Sequence, residues 1–292
     1  MSIILPKGLP AIETLRSEGF DARDEIQTGS QSLRILFLNI MPQKAVTELD
    51  FARALGGTPL CVELLPMKIK GQTYKTTPME YMEAFYRDFE TFEADCFDGL
   101  IVTGAPVEQY PFEDVRYWKQ LQHIFDWAKT HVRSTLYVCW GAQAGLYHHY
   151  GIPKYWLPEK KFGIYRQKKC RTDVPLLRDM PNPFPMPTSR HTEVKSEDFP
   201  TDTDLQIVAE SDESGFAMAI ANGGKEIYTV GHLEYEPMTL DKEYRRDLAK
   251  GLPIASPVHY YKKGGDETAV DFSWEQPAKQ FYRNWLTYYV KP

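Results

Sequence analysis

Short runs of consecutive apolar residues alternate with stretches of helical spacing through the first half of the chain. Such runs are typical of strands buried on both faces of a sheet, and we predict strands at residues 33–39, 60–65, 98–103 and 136–138. Apolar residues at helical spacing predict a helix after each strand, at residues 46–55, 78–92, 113–130 and 142–150. This alternation predicts an α/β fold, with a mostly parallel sheet and helices on both faces.

The rest of the chain departs from this regular alternation. Residues 152–204 are rich in proline and scattered charge, and we interpret them as an insertion of loops and short strands. Strands are predicted again at residues 205–209, 216–221 and 227–230, followed by helices at residues 241–250 and 278–290. Residues 1–32 are mixed and polar, and we interpret them as an N-terminal extension available to a subunit interface. We find no internal repeat or low-complexity linker, so residues 1–292 are predicted to form a single domain.

Composition limits the possible binding partners and the cellular compartment. The net charge of −6 argues against nucleic acid or an anionic membrane surface as the main partner. The sequence has neither a signal peptide nor an apolar run long enough to span a membrane. Its four cysteines, Cys61, Cys96, Cys139 and Cys170, have no metal-ligand spacing, and we predict no metal site. We therefore expect a cytoplasmic protein with free thiols, of which three are structural and Cys139 is a candidate nucleophile.

Cys139 stands where a predicted strand runs into a turn of small residues and then a helix. Gly141 and Ala142 allow a tight turn that holds the side chain in the open, as in the nucleophile elbow of hydrolases. The start of the following helix offers free backbone N–H groups, which favour a thiolate and can hold an oxyanion. Residues 103–106 end a neighbouring strand and are predicted to complete this oxyanion hole. The pattern predicts a cysteine nucleophile that carries an acyl group as a thioester.

A thiol nucleophile needs a base, and His232 is the candidate. It follows the strand predicted at residues 227–230, so it should emerge at the same carboxyl edge of the sheet as Cys139. Glu234, two residues later, is placed to orient its imidazole. His148 and His149 lie on the helix that follows Cys139 but too far along it to reach the first turn. We therefore predict a catalytic set of Cys139, His232 and Glu234.

Five ordered motifs extend this interpretation to a known family. They are Asn39-Ile-Met-Pro-Gln-Lys44, Thr103-Gly-Ala-Pro-Val-Glu108, Cys139-Trp-Gly-Ala-Gln-Ala-Gly145, Ser189-Arg-His-Thr-Glu-Val194 and Gly231-His-Leu-Glu-Tyr235. Together they resemble the homoserine O-acyltransferases of methionine biosynthesis, the group that includes homoserine O-succinyltransferase. The resemblance covers nearly the whole chain and implies a flavodoxin-like fold similar to that of the class I glutamine amidotransferases. It also implies a homodimer.

The resemblance implies a role for each matching residue. Cys139 matches the nucleophile, His232 the general base and Glu234 its partner. Three further residues match substrate-binding positions: Lys160, Ser189 and Arg246, of which Arg246 would bind the amino acid's carboxylate. The implied mechanism is ping-pong, since acyl-CoA first acylates Cys139 and an amino-acid hydroxyl then takes the acyl group. Coenzyme A is a substrate here, and no bound cofactor is expected.

Glu108 matches the position that separates acetyl users from succinyl users in this family. A glutamate there would shorten the acyl pocket and repel a succinyl carboxylate, so we predict acetyl-CoA as donor. The sequence departs from the family's usual His-Pro-Glu at His232-Leu-Glu234 and from its usual Trp-Arg-Ser-His at Trp274-Glu-Gln-Pro277. We predict homoserine O-acetyltransferase activity, with serine O-acetyltransferase and homoserine O-succinyltransferase as alternatives of the same chemistry. A glutamine amidohydrolase subunit is the alternative from another class, and a non-catalytic regulatory protein is disfavoured by the filled catalytic positions.

Overall fold

A computed structural model describes residues 2–26, 31–262 and 269–291 of the chain. Its strands are β1 Ser2–Ile4, β2 Ala22–Arg23, β3 Leu33–Leu38, β4 Cys61–Lys68, β5 Arg87–Asp88, β6 Phe97–Val102, β7 Val132–Val138, β8 Tyr155–Lys169, β9 Phe184–Glu193, β10 Gln206–Ser211, β11 Gly215–Ala221 and β12 Glu226–Thr229. Its α-helices are α1 Ala11–Ser17, α2 Lys44–Gly56, α3 Met79–Phe85, α4 Trp118–His131, α5 Trp140–Tyr150, α6 Thr239–Ala249 and α7 Glu275–Trp285, the last continued by a π-helical turn at Leu286–Val290.

The strands form one sheet in the order β2-β1-β4-β3-β6-β7-β12-β11-β10-β8-β9, with β5 paired to β4. Every pairing from β2 to β12 is parallel, and every pairing from β12 to β9 is antiparallel. The predicted parallel sheet is therefore confirmed. Strand β7 lies between β6 and β12, so the loops that follow these three strands meet at one edge.

Successive side chains along the central strands point to opposite faces and enter two separate cores. In β3, Ile35 and Phe37 join a core with helices α1, α2 and α7, whereas Leu36 and Leu38 join a core with α4 and α5. All four are fully buried. Because both faces need apolar cover, the strand sequences are continuously hydrophobic, and helices on both faces follow as predicted. None of the described helices is long and apolar enough to cross a membrane.

The N-terminal segment, predicted as an extension, is part of the sheet instead. Strand β1 pairs in parallel with β4, and α1 packs Ile12 and Leu15 into the first core. The apolar positions at 9, 12 and 15 have the spacing of a short amphipathic helix, a signal that the mixed composition of the segment obscured. Whether this segment also meets a second subunit stays a prediction.

The insertion predicted at residues 152–204 also differs from expectation. It contains the long antiparallel hairpin of β8 and β9 rather than loops and short strands. Pro185 and Pro187 lie within β9, which is the last strand of the sheet. An edge strand tolerates proline because alternate N–H groups have no neighbour to bind. The β8–β9 hairpin passes the carboxyl edge of the parallel strands, where the candidate site lies.

Candidate active site

Cys139 occupies a strained turn between β7 and α5. Its backbone has φ 55° and ψ −121°, a conformation that costs a non-glycine residue about 1–3 kcal/mol. Hydrogen bonds hold the turn on both sides: the Cys139 amide donates to Thr229 O at 2.8 Å, and its carbonyl accepts from Ala142 N at 3.0 Å. The predicted elbow is present, and the amides of Trp140 and Gly141, the first two residues of α5, have no acceptor within the helix.

Two glycines allow the elbow to pack against the loop after β6. A Cβ at Gly141 would lie 2.6 Å from Thr103 O and 2.8 Å from Val102 O, so no side chain fits there. A Cβ at Gly104 would lie 3.2 Å from Cys139 Cβ. The loop predicted to complete an oxyanion hole is thus in direct contact with Cys139 and with the start of α5.

His232 and Glu234 lie on the other side of Cys139, after β12. The His232 amide donates to Pro187 O at 2.8 Å, and its Nδ1 is 2.6 Å from Glu234 Oε1. This leaves Nε2 for Cys139, with which His232 shares a hydrogen bond. Leu233 turns away into the first core, so the departure from His-Pro-Glu preserves the contact between both polar side chains. Cys139, His232 and Glu234, the three residues predicted to be catalytic, are called the catalytic group below.

Opposing effects set the protonation of His232. Burial disfavours the imidazolium, but the negative charges of Glu234 and Cys139 and the hydrogen bonds to both outweigh it, so the pKa of His232 lies well above its ordinary value. The ring of Tyr235 stacks on the imidazole at 4.1 Å between centroids and fixes its plane. In the resting site His232 therefore favours the imidazolium.

Two further polar side chains lie on the side of Glu234 away from His232, and the sequence did not predict them. The Tyr282 hydroxyl donates to Glu234 Oε2 at 3.5 Å. Asp50 of α2 is buried in the same region, where its nearest cation is Arg53 at 3.7 Å. Burial, together with the charges of Glu234 and Glu236, raises the pKa of Asp50 to about 8. Nothing in the local sequence of α2 indicates that it approaches a carboxylate on another element.

His148 and His149 lie elsewhere, as predicted. His148 Nε2 is 2.9 Å from Asp126 Oδ1, and His149 Nε2 is 3.2 Å from the Tyr137 hydroxyl. These contacts hold both imidazoles between α4, α5 and β7, outside the set of side chains that surrounds Cys139.

An open cavity of about 270 Å³ contains Cys139 and His232 together with side chains from five other parts of the chain. The lining residues are Met41, Pro42, Gly104, Ala105, Pro106, Glu108, Gln109, Cys139, Trp156, Lys160, Ser189, His191, His232, Tyr235, Glu243, Arg246 and Asp247. The cavity thus brings together six of the seven residues singled out in the sequence, and Glu234 contacts it through His232.

The three predicted substrate-binding residues converge on a carboxylate that was not predicted, Glu243. Its Oε1 accepts from Lys160 Nζ at 2.5 Å and from Ser189 Oγ at 2.8 Å. Arg246, one turn further along α6, is 3.8 Å from the same oxygen and donates to Asp247 Oδ1 at 2.7 Å. Lys160, Ser189, Glu243 and Arg246 are called the recognition group below. The spacing of Glu243 three residues before Arg246 on a helix was the available signal.

Glu108 is fixed at the wall of the cavity. Its Oε2 accepts from the His191 amide at 2.8 Å, so the side chain is held between the loop after β6 and strand β9. Burial raises the pKa of Glu108, while the hydrogen bond from His191 acts in the opposite direction. The side chain reduces the space near Cys139 in either protonation state.

The remaining cysteines differ from the structural role expected of them. Cys96 and Cys170 are exposed, and Cys61 is half-buried, where its sulfur accepts from Ser2 Oγ at 3.0 Å. All four thiols are free. Cys139 is the buried member of the set, yet it faces the cavity.

Comparison with known proteins supplies the family context. The sequence model of a family described as homoserine O-succinyltransferase matches residues 2–292. A homoserine O-acetyltransferase of Phocaeicola vulgatus is 50% identical over 293 residues, with 99% of this chain and 96% of that protein covered. Proteins of the same name from Parabacteroides distasonis and Brevibacillus brevis are 50% and 45% identical, with 99% of this chain and 94% and 96% of those proteins covered.

Solved structures agree on the fold. A glutamine amidotransferase of Thermotoga maritima superposes with a TM-score of 0.58 at 15% identity, covering 90% of this chain and 100% of that one. A glutamine amidotransferase of Methylobacillus flagellatus gives a TM-score of 0.56 at 11% identity, covering 89% and 96%. The predicted class I glutamine amidotransferase-like fold is confirmed, and at this identity the likeness concerns the fold alone.

Proposed function

The chain belongs to the homoserine O-succinyltransferase family, and we propose that it transfers an acetyl group from acetyl-CoA to the hydroxyl of L-homoserine, a reaction of methionine biosynthesis. One observation carries the proposal: a single cavity contains both a cysteine–histidine pair and a charged group suited to an amino acid. The relatives at 50% identity, which are named homoserine O-acetyltransferases, support this choice of donor and acceptor.

In the first half-reaction, the Cys139 thiolate attacks the carbonyl carbon of acetyl-CoA. The carbonyl oxygen becomes an oxyanion, which backbone amides at the start of α5 and in the loop after β6 are positioned to stabilise. The bond to the coenzyme A sulfur then breaks, and the His232 imidazolium protonates the leaving thiolate. One thioester replaces another, so the step is close to isoenergetic and readily reversible.

In the second half-reaction, the now neutral His232 takes the proton of the homoserine hydroxyl. The oxygen attacks the acetyl carbon, and the Cys139 sulfur leaves as the thiolate. Glu234 holds the imidazole through Nδ1 at 2.6 Å and stabilises its positive charge. The oxygen ester is lower in free energy than the thioester, so this step draws the overall reaction forward.

The recognition group suits both ends of an amino acid. The Arg246 guanidinium is a bidentate donor for the carboxylate, and Glu243 is an acceptor for the ammonium. In the structure, Glu243 Oε1 accepts from Lys160 Nζ at 2.5 Å and from Ser189 Oγ at 2.8 Å. We infer that the substrate ammonium shares this carboxylate, which frees Lys160 to approach the developing negative charge.

Glu108 supports acetyl as the acyl group. The side chain lies in the wall of the cavity that contains Cys139, and its hydrogen bond to the His191 amide prevents it from swinging away. A succinyl chain would meet its bulk and, where both carboxyls are ionised and desolvated, a repulsion of several kcal/mol. An acetyl group is short enough to avoid both.

The experiment that tests the proposal separates donor, nucleophile and acceptor. Purified protein is incubated with acetyl-CoA or succinyl-CoA, with homoserine, serine or no acceptor, and release of free coenzyme A is followed. Samples without acceptor are quenched for intact mass. We expect an acetyl adduct that maps to Cys139 and is discharged by homoserine. Discharge by serine alone would reassign the acceptor, and faster turnover of succinyl-CoA would overturn the assignment from Glu108. Failure of both donors, with ammonia release from glutamine, would favour an amidohydrolase.

Two further properties, the compartment and the oligomeric state, are also proposed. The free state of all four cysteines suits a reducing cytoplasm. A homodimer is expected from the family resemblance, and the edge strand β2 and helix α1 are candidates for its interface. Light scattering on the purified chain measures the oligomeric state directly, and a monomer would remove the dimer proposal.

A further inference from the structure

The reaction cavity is much smaller than the proposed donor. It encloses about 270 Å³, which is below the usual range for a site that takes a whole drug-sized ligand. Coenzyme A carries its thiol at the end of a long pantetheine arm and a 3′-phosphorylated ADP at the other end. With the thioester at Cys139, the cavity can hold the acyl group and part of the arm. The nucleotide must therefore lie outside, against the rim.

Trp156 is the prominent feature of that rim. Its side chain lines the cavity, and with 60% of its surface exposed it is the most exposed large hydrophobic residue in the part of the chain that the structure describes. Aromatic side chains are the usual platforms for nucleobases. Trp156 has the exposure and the position that a stacking platform needs.

A series of contacts fixes Trp156 relative to Cys139. Its backbone is paired with Thr192 of β9, and Thr192 Oγ1 donates to Gln143 Oε1 at 2.9 Å. Gln143 returns the contact by donating to Thr192 O at 3.2 Å, and it lies one turn after Cys139 on α5. Immediately after Trp156 the regular pairing of β8 and β9 is interrupted as far as Lys161. The indole is therefore presented at the end of a rigid support that is anchored at the nucleophile.

Lys154, two residues before Trp156 in the chain, supplies a positive charge from the same segment. Its Nζ donates to Glu108 O at 2.6 Å and to Tyr110 O at 2.9 Å. An ammonium group has three donors, so one remains for an anionic oxygen. The lysine thereby joins the loop after β6 to the start of β8, two residues before Trp156. An exposed aromatic side chain and a fixed cation on one segment match the chemistry of an adenine and its phosphates.

We propose that the nucleotide of coenzyme A binds on the outer rim of the cavity, with its adenine stacked on Trp156 and a phosphate oxygen bound by Lys154. This inference rests on the proposed acyl-CoA donor. It divides recognition of the donor in two, because the acyl group is selected inside the cavity by Glu108 and the nucleotide is held outside by the β8 rim.

The test compares donors with and without the nucleotide. For Trp156→Ala we expect the KM for acetyl-CoA to rise about 5- to 100-fold with kcat nearly unchanged, the range that loss of one base stack gives. With S-acetylpantetheine, which lacks the nucleotide, the variant should lose much less of its kcat/KM than it loses with acetyl-CoA. Trp156→Phe retains an aromatic face and should restore most of the affinity.

Binding measured without turnover keeps this inference separate from the proposed reaction. Calorimetric titration with free coenzyme A should show the same weakening in Trp156→Ala, whether or not the acetyl group is transferred. Equal losses with acetyl-CoA and S-acetylpantetheine, or no loss with either, would overturn the proposal. A variant that binds coenzyme A normally but changes its oligomeric state in light scattering would also overturn it, and would identify Trp156 as a contact between two copies of the chain.

Discussion

The catalytic group and the recognition group share one cavity but are held in different ways. The catalytic residues lie in turns that follow parallel strands, with backbone hydrogen bonds to the neighbouring strands, and the side chains of His232 and Glu234 are each 5% exposed. The recognition residues lie on the β8–β9 hairpin and on α6, and they are held by one another's charges. Among them the Arg246 side chain is 47% exposed.

This difference indicates how each group is used. A nucleophile and its base must keep one geometry through both half-reactions, and backbone turns in a buried sheet provide it. The proposed recognition residues are paired with one another and would have to exchange partners when an amino acid binds. We therefore expect changes in the catalytic group to affect kcat in both half-reactions, whereas changes in the recognition group should affect the acceptor step alone.

The largest expected effect is that of Cys139→Ala. Removal of the sulfur abolishes the acyl-enzyme, so activity should fall at least about 10³-fold, and no acetyl adduct should appear by mass spectrometry. Cys96→Ala is the matched control, because Cys96 is exposed and lies outside the residues lining the cavity. An adduct that persists in the Cys139 variant would remove this residue from the catalytic group.

Glu234→Gln should have the next largest effect, and it has a distinct pH signature. In the native protein burial lowers the pKa of His232, and Glu234 and Cys139 more than reverse this. In the acyl-enzyme the thiolate charge is gone, so removal of Glu234 should lower the pKa of His232 further. The base works when neutral, so the acidic limb of kcat should move to lower pH.

At neutral pH, kcat of this variant should fall on the order of 100-fold, because the imidazole loses its orientation and its counter-charge. Steady-state rates between pH 5 and 9 measure both effects. Glu236→Gln is the control, since Glu236 pairs with Arg53 at 3.7 Å and makes no contact with His232 among the described hydrogen bonds and ion pairs. If the acidic limb of the kcat profile stays at the same pH in Glu234→Gln, Glu234 does not set the charge of His232.

Glu243→Gln tests the recognition group. Loss of a charged acceptor for the substrate ammonium should raise the KM for homoserine about 10- to 100-fold. The rate at which Cys139 is acetylated in the absence of acceptor should be unchanged, as measured by rapid quench and mass spectrometry. Equal slowing of both half-reactions would break the distinction between the two groups. Glu275→Gln, on α7, serves as a control for removal of one carboxylate.

Glu108→Gly and Glu108→Gln together separate size from charge in donor selection. Glycine removes both, and we expect kcat/KM for succinyl-CoA relative to acetyl-CoA to rise at least about 10-fold. Glutamine keeps the size and the acceptor oxygen for the His191 amide. The change in this kcat/KM ratio in the glutamine variant therefore measures the contribution of charge alone. If neither variant changes the ratio, the acyl group is selected elsewhere in the cavity.

The smallest expected effect on activity is that of Asp50→Asn, which acts on stability. The pKa of Asp50 is raised to about 8 in the folded protein, against about 4 in the unfolded chain. Between these values the unfolded chain has lost the proton that the folded state retains, so the native protein loses stability as pH rises through this window. Asparagine does not titrate. The variant's gain in Tm should therefore grow from near zero at pH 4 to on the order of 5 °C at pH 8.

Thermal unfolding at several pH values, with Asp95→Asn as an exposed control, measures this growth. A difference in Tm that is the same at all pH values would show that Asp50 does not carry its proton into the folded state.

The sequence was most informative where local pattern decides the structure. The strands predicted at 33–39 and 98–103 correspond to β3 and β6, because a strand buried on both faces needs an unbroken apolar run. The elbow at Cys139 was equally local, since a strand, a small-residue turn and a helix follow one another directly.

It was least informative where distant segments pair. The helix predicted at 78–92 ends at Phe85, because Tyr86 adopts an extended conformation in which its hydroxyl reaches Glu48 and Asn39. The β8–β9 hairpin resembled loops because its outer strand carries prolines that only an edge position allows. Glu243 and Asp50 were missed for the same reason: each contacts a residue on another element, and neither belongs to a local motif.

The packing of Gly141 against Thr103 has a mechanical consequence. The start of α5 and the loop after β6 meet at a distance that excludes even a methyl group, so neither can move towards the other or twist independently. The two sets of amides proposed to bind the acyl oxygen would therefore behave as one stiff unit, and a displacement of either would be transmitted to its neighbour. Acyl groups of different length would then have to be accommodated by the mobile side of the cavity, where charged side chains can exchange partners, while the amides around the acyl oxygen stay fixed.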